Sequence, residues 1–178
     1  MTASIKIILI LTIAIQSALA QPVDRFRKLL SQDDHLASVR LLSQYGEEIL
    51  DSSYDPSFDE LNGYISMCEE YLKTFPECYD NERCSDIIFN RTYLKVTFLS
   101  TAWAQKAIRK GSVGDYFGSI SDIEKAIEIK ELPDHDYLFV LGFATVRSGQ
   151  KAAGCRILSK SFEMGNSMAL EVIQMLCK

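Results

Sequence analysis

The chain has 178 residues, of which 47% are hydrophobic, and a formal net charge of −5 at pH 7. This composition is typical of an ordinary globular protein, and the length fits one domain once a leader is removed. No cluster of Lys or Arg stands out, which argues against a nucleic-acid-binding protein, because neutralising phosphates needs concentrated positive charge.

The first 20 residues have the pattern of an export signal. One cation, Lys6, precedes an apolar run over 7–15, and the segment ends in Ala-Leu-Ala at Ala20, a sequence that signal peptidases cleave. The run is short for a mature transmembrane helix, which needs about 20 residues, although a retained anchor is an alternative. We predict cleavage after Ala20, a secreted or periplasmic mature chain, and no integral membrane segment after cleavage.

The rest of the chain is predicted to be nearly all helical. The four prolines lie at predicted helix edges, and no stretch alternates apolar and polar residues as a half-buried strand would. Ser57 and Glu60 have the spacing of a capping box. Helices are expected over 23–30, 35–50, 57–74, 84–110, 116–129, 136–148, 151–164 and 167–176. In the second of them, Leu36, Val39 and Leu42 are expected to share one buried face.

Two stretches in the second half match each other at an offset of about 35 residues. The matches join small residues, turn glycines, large apolar residues and charges: Trp103 with Leu138, Ala107 with Gly142, Gly114 with Gly149, Ile123 with Leu158, Lys125 with Lys160, and Glu128 with Glu163. A period of this length indicates stacked helical pairs, in which small residues let two helices approach and large apolar residues fill the gaps.

The duplicated block resembles the tetratricopeptide repeat family. That family has Trp-x2-Leu-Gly-x2-Tyr on a first helix, Ala-x3-Phe on a second, and then proline. Trp103 takes the Trp place in one unit and Leu138-x2-Leu141-Gly142 fits the next, whereas Lys106 departs from the expected Leu. The closing segment from Gly154 onward is similar to the last unit of exported bacterial members.

The resemblance implies an all-α fold, a short α-solenoid of antiparallel hairpins with about six or seven helices after the signal peptide. It covers 100–178 and is weak before that. We therefore divide the chain into a signal peptide (1–20), degenerate N-terminal helical pairs (21–99) and tetratricopeptide-like repeats with a C-terminal capping helix (100–178). An irregular helical bundle with a chance duplication is the alternative.

The resemblance also implies a groove lined by first-helix residues. The family's groove positions fall on Thr101, Ala104 and Ile108 in one unit and on Asp136, Phe139, Phe143, Val146 and Arg147 in the next. They form an apolar strip with an acid and a base near its edges, which suits an extended or helical peptide. The alternative is that the N-terminal helices cover both phenylalanines, which would then belong to the core.

Five cysteines follow the predicted cleavage site, and export permits disulfides. Cys155 and Cys177 lie at equal distances on either side of the last predicted turn, so an antiparallel hairpin places them at one height, and we predict a bridge between them. Cys78 and Cys84 flank a short polar turn, where we predict a second bridge. Cys68 is left over and is predicted to be a buried thiol, with a reactive thiol or an intermolecular bridge as alternatives.

No residue pattern indicates catalysis, metal binding or a cofactor. His35 and His135 lack partners at ligand spacing, and the Gly-Ser-Val-Gly sequence over 111–114 lacks the Lys and the strand of a phosphate loop. Asn90 begins an N-glycosylation pattern but falls within a predicted helix. We therefore predict a non-enzymatic, secreted or periplasmic interaction module that binds a protein or peptide, with a self-associating structural protein or a thiol redox protein as alternatives.

Overall fold

The computed structural model describes residues 22–51, 53–75, 82–132 and 134–178, the side chains of 82–85 excepted. Every regular element in these ranges is a helix, which confirms the all-helical prediction for the described residues. The predicted signal peptide (1–20), Cys78 and the side chain of Cys84 lie outside the described residues, so the cleavage site and the bridge between these two cysteines stay predictions.

The helices follow one another through short turns. They are α1 (22–31), α2 (His35–Ile49), α3 (Phe58–Thr74), α4 (Glu82–Tyr93), a π-helical segment (Leu94–Leu99), α5 (Ser100–Ser112), α6 (Tyr116–Lys130), α7 (His135–Arg147), α8 (Lys151–Glu163) and α9 (Ser167–Leu176). The chain forms two compact units, divided between Leu94 and Lys95. In the ranges described, no helix has both the length and the apolar character needed to cross a membrane.

Side-chain caps determine where several helices begin. At α3 the predicted capping box is present, because Ser57 Oγ accepts a hydrogen bond from Glu60 N at 3.2 Å while Glu60 Oε2 accepts one from Ser57 N at 2.7 Å. Four further helices start at a residue whose side chain accepts a backbone N–H: Asp34, Asp115, Asp134 and Asn166. Each such cap stabilises its helix by about 1 kcal/mol.

The long helix predicted over 84–110 is interrupted by the π-helical segment Leu94–Leu99. Just after it, Ser100 Oγ donates to Val96 O at 2.6 Å and Thr101 Oγ1 donates to Thr97 O at 2.7 Å. These hydroxyls occupy carbonyl oxygens inside the widened turn, which helps the backbone to adopt a longer hydrogen-bond spacing. So local a change leaves almost no trace in the apolar periodicity of the sequence.

In the first unit, α2 packs on α3 around fully buried side chains. Tyr64 and Leu42 are both 0% exposed, and Tyr64 OH donates to Leu42 O at 3.0 Å. Leu36 does not belong to this core as predicted, because it is 53% exposed. It lies in the first turn of α2 and lines an open cleft instead.

In the second unit, each helix from α5 to α9 packs on the next, and α7 also contacts α5 and α9. The matched sequence positions have matched roles in the two hairpins. Gly114 and Gly149 have φ of +87° and +96°, a conformation that favours glycine, and each ends a turn between two helices. Ile123 and Leu158 are both 0% exposed in the second helix of their hairpins.

Two glycines lie where α7 crosses α8. A Cβ atom on Gly154 would lie 2.6 Å from Val146 N and 2.7 Å from Gly142 O. A Cβ atom on Gly142 would lie 2.9 Å from Leu158 N. These distances are far below ordinary van der Waals contact, so the hairpin has its observed spacing only because both positions lack a side chain.

Candidate functional site

Phe139 and Phe143 form the centre of the predicted groove. Their rings stack with centroids 6.4 Å apart and an interplanar angle of 23°. Both are half-buried and pack on one side against a cluster from α8 and α9 formed by Leu158, Ala169 and Val172. Each ring therefore has one part held by the core of the second unit and another part open to a ligand.

An acid and a base lie at opposite ends of α7. Asp136 has a side chain that is 66% exposed, and its Oδ1 accepts a hydrogen bond from Asn166 Nδ2 at 2.9 Å. Arg147, also exposed, donates from Nε and Nη2 to Tyr116 OH at 3.1 and 3.0 Å. These contacts orient both charges, so the aromatic pair is flanked by a fixed carboxylate and a fixed guanidinium.

The remaining predicted groove residues differ in exposure. Ile108 on α5 is 54% exposed, whereas Ala104 is 5% exposed and offers almost no surface to a ligand. Thr101 is half-buried, and its hydroxyl donates to a backbone carbonyl. Val146 is half-buried against the same cluster as the two phenylalanines. The contact surface of the strip is therefore centred on α7 with one apolar contribution from α5.

The start of α7 is held by an ion pair. Asp134 caps the helix by accepting from Tyr137 N at 2.9 Å and pairs with the ammonium of Lys130. Partial burial by itself raises the pKa of the Asp134 carboxyl, but the hydrogen bonds from Lys130 and Tyr137 N and the charge of Lys130 together hold that pKa below its usual value. The ionised form of Asp134 is thus favoured in the folded protein.

We expect the second unit to lose stability as the pH falls through the folded-state pKa of Asp134. A carboxyl whose pKa is lower in the folded than in the unfolded protein adds stability above its unfolded pKa and loses it on protonation in acid. Asp134→Asn retains the cap but removes the charge. Its urea midpoint, followed by Trp103 fluorescence, should change less between about pH 6 and about pH 3 than that of the wild type. Equal changes would contradict this assignment.

Cys68 is a buried thiol. It is 0% exposed and has no disulfide partner among the described residues. Burial raises the pKa of the Cys68 thiol to about 12, against a smaller lowering by its hydrogen bond with Tyr64. Because the thiolate is the reactive form, Cys68 does not supply the nucleophile that a redox protein requires, and its burial also separates it from a second chain.

Cys68 should remain unlabelled when the native protein is treated with a thiol reagent near pH 8 and should react fully after unfolding in urea. Peptide mapping by mass spectrometry distinguishes it from Cys78 and Cys84, so their reactivity does not affect the result. Labelling of native Cys68 as fast as that of a free small thiol would contradict the buried assignment.

The bridge predicted between Cys155 and Cys177 is present. The sulfur atoms are 2.05 Å apart and the Cα atoms 5.8 Å apart. The bridge links the beginning of α8 to the residue after α9, and Cys177 packs against the cluster that supports Phe139 and Phe143. It therefore fastens the last helix next to the strip on α7.

Sequence reasoning missed an open region of the first unit, between α2 and α4. Two adjoining clefts lie there, with volumes of about 380 and 500 Å³, and Leu36 lines both. Phe89 and Tyr93 lie on the α4 side and are 70% and 43% exposed. Two aromatic residues four apart on a helix were the available signal, but their exposure depends on how α4 lies against α2.

No family model, curated protein or solved structure matches the chain. Among the described residues, no group of His, Cys, Asp or Glu side chains is arranged to hold a metal ion. Functional inference for this chain therefore begins from the strip on α7, from the bridged end and from the clefts of the first unit.

Proposed function

We propose that the chain is a non-enzymatic interaction module of the tetratricopeptide type that binds a protein or peptide partner through the strip on α7. The observation that carries this proposal is the stacked, half-exposed pair Phe139 and Phe143, flanked by Asp136 and Arg147. A half-buried aromatic pair between two oriented charges has the character of a binding hot spot, since aromatic anchors supply contact area and charges select the partner.

The repeat interpretation is supported by the packing of the second unit. Consecutive helices pack on each other, and the alternate helices α5, α7 and α9 contact one another as the first helices of stacked pairs do. Equivalent positions in the two hairpins carry a turn glycine and a fully buried aliphatic residue. In such a stack the first helices line a common face, which here carries Phe139, Phe143 and Ile108.

Export is supported by two independent features. The first 20 residues have the composition of a signal peptide, and Cys155 and Cys177 form a disulfide. Disulfides persist in the periplasm and outside the cell but are rare in the cytosol. We therefore place the mature module in an oxidising compartment, where its partner is an exported protein or a peptide segment exposed there.

The partner is expected to present apolar side chains to the phenylalanines, a basic group near Asp136 and an acidic group near Arg147. The test is co-purification from the native compartment with the tagged wild type, Phe139→Ala/Phe143→Ala, and Arg147→Glu. The first variant removes the anchors and the second reverses an exposed charge without altering the apolar core. Phe117→Ala is the matched control, because Phe117 is 68% exposed and lies on α6.

We expect a discrete partner with the wild type and with Phe117→Ala, and loss of that partner in the other two variants. Circular dichroism verifies that each variant is folded. If both strip variants retain the partner of the wild type, the strip is not the binding surface. A wild type that runs at twice its mass and retains no partner would favour the self-associating alternative.

A further inference from the structure

The two clefts of the first unit form one continuous groove because they share Leu36. The cleft of about 380 Å³ is lined by Leu36, Val39, Arg40, Ser43, Phe89, Asn90 and Tyr93. The cleft of about 500 Å³ is lined by Asp33, Asp34, His35, Leu36, Phe75, Asp86 and Ile87. The low-numbered ends of α2 and α4 thus line one end of the groove, and their later turns line the other.

The groove has an apolar centre that is largely exposed. Leu36 on α2 is 53% exposed, and Phe89 and Tyr93 on α4 are 70% and 43% exposed. The two aromatic rings are nearly parallel, with an interplanar angle of 4° and centroids 6.3 Å apart. Val39 supports this surface from below and is only 7% exposed. A contiguous apolar surface of this kind is typical of a binding groove.

The two ends of the groove carry opposite charges. Asp33, Asp34 and Asp86 line one end, and all three are exposed. Arg40 lines the other end, is exposed, and forms no ion pair with a described residue. The guanidinium of Arg91, the other cation of α4, is engaged by backbone carbonyl oxygens of the α3 C-terminal region. The groove is therefore acidic at one end and basic at the other.

We propose that this groove binds an amphipathic helical segment of a partner protein, with a basic side chain at one end of its apolar face and an acidic side chain at the other. The charge pattern selects this occupant, because a segment of one charge sign would meet repulsion at one end. The lining residues of α2 and of α4 recur at i, i+3, i+4 and i+7, the spacing at which helix-in-groove contacts are made. This site lies in the first unit and is separate from the strip on α7.

The probes are three labelled alanine-based peptides of about 14 residues, with Leu along one face and Lys at one end and Glu at the other, Lys at both ends, or Glu at both ends. Their affinities for the full mature chain are measured by fluorescence anisotropy at low salt. This set separates charge pattern from peptide direction, because the mixed peptide matches the groove in one orientation or the other.

The wild type should bind the mixed peptide roughly fivefold more tightly than either single-sign peptide. Arg40→Glu makes both ends acidic, so the peptide with Lys at both ends should become the tightest ligand. Phe89→Ala should weaken all binding roughly tenfold. Phe117→Ala is the control for an equally exposed phenylalanine and should have no effect, as should Phe139→Ala, whose failure would instead concern the strip on α7.

The proposal is overturned by any of three results. These are no binding of the mixed peptide, a charge preference that Arg40→Glu leaves unaltered, or a Phe117→Ala variant weakened as much as Phe89→Ala. A wild type that elutes as a dimer, and becomes monomeric in Phe89→Ala, would assign the groove to a second copy of the chain and would also overturn it.

Discussion

Gly154→Ala should destabilise the second unit by about 2 kcal/mol. Its new methyl group would lie 2.6 Å from Val146 N and 2.7 Å from Gly142 O, so it meets backbone that cannot rotate away. Separating α7 from α8 to accommodate it costs about 3 kcal/mol, and the better helix propensity of alanine offsets about 1 kcal/mol. Urea unfolding followed by Trp103, the chain's single tryptophan, measures the change, because Trp103 is 7% exposed in α5 of the same unit.

Gly63→Ala is the matched control, because Gly63 is a helical glycine with nothing within 4 Å of an added Cβ. There the same substitution should stabilise the first unit by up to about 1 kcal/mol through helix propensity alone, as measured by far-ultraviolet circular dichroism. The account therefore predicts opposite signs at Gly154 and Gly63. A stabilising Gly154→Ala would contradict the close crossing of α7 and α8.

Removing the disulfide with Cys155→Ala/Cys177→Ala should destabilise the second unit by about 3 kcal/mol in the chain-entropy model. The bridge closes a segment with a sequence separation of 22 and fastens α9, the last helix, which would otherwise fray. Urea unfolding of the double variant and of the oxidised wild type gives the difference. Hydrogen exchange should locate the loss of protection in α9 first.

Adding a reductant to the double variant is the control for this experiment. If the bridge between Cys155 and Cys177 accounts for the effect, reduction should change the Trp103 unfolding midpoint of the wild type and leave that of the double variant unchanged. A loss below about 1 kcal/mol in the double variant would show that packing of α9 on Leu158 and Val172 suffices without the bridge.

Helix ends in the second unit were accessible from the sequence because their signals are local. Asp115 follows Gly114 directly and caps α6, and the predicted span 167–176 of the last helix coincides with α9. Side-chain caps and left-handed glycines act within a few residues, so a single sequence contains both the signal and its effect. The height argument for Cys155 and Cys177 succeeded for the same reason, since it involves one hairpin.

Exposure was harder to predict because it depends on contacts between distant segments. Leu36 fits the apolar periodicity of α2 but is exposed, while Ala104, assigned to the groove, is buried in the second unit. The charged groove of the first unit also escaped the sequence, since Arg40 and Phe89 line one cleft although they are far apart in the chain. Periodicity identifies a face of a helix but not what lies against it.

The most direct measurement of the central claim is site-specific photocrosslinking in the native compartment. A photoreactive amino acid at Ile108, which is 54% exposed on the proposed binding face, should form a discrete adduct with one partner. The same group at Phe117, which is 68% exposed on α6, should form none. Equal adducts from both positions, or an adduct from Phe117 alone, would contradict a binding surface built on α5 and α7.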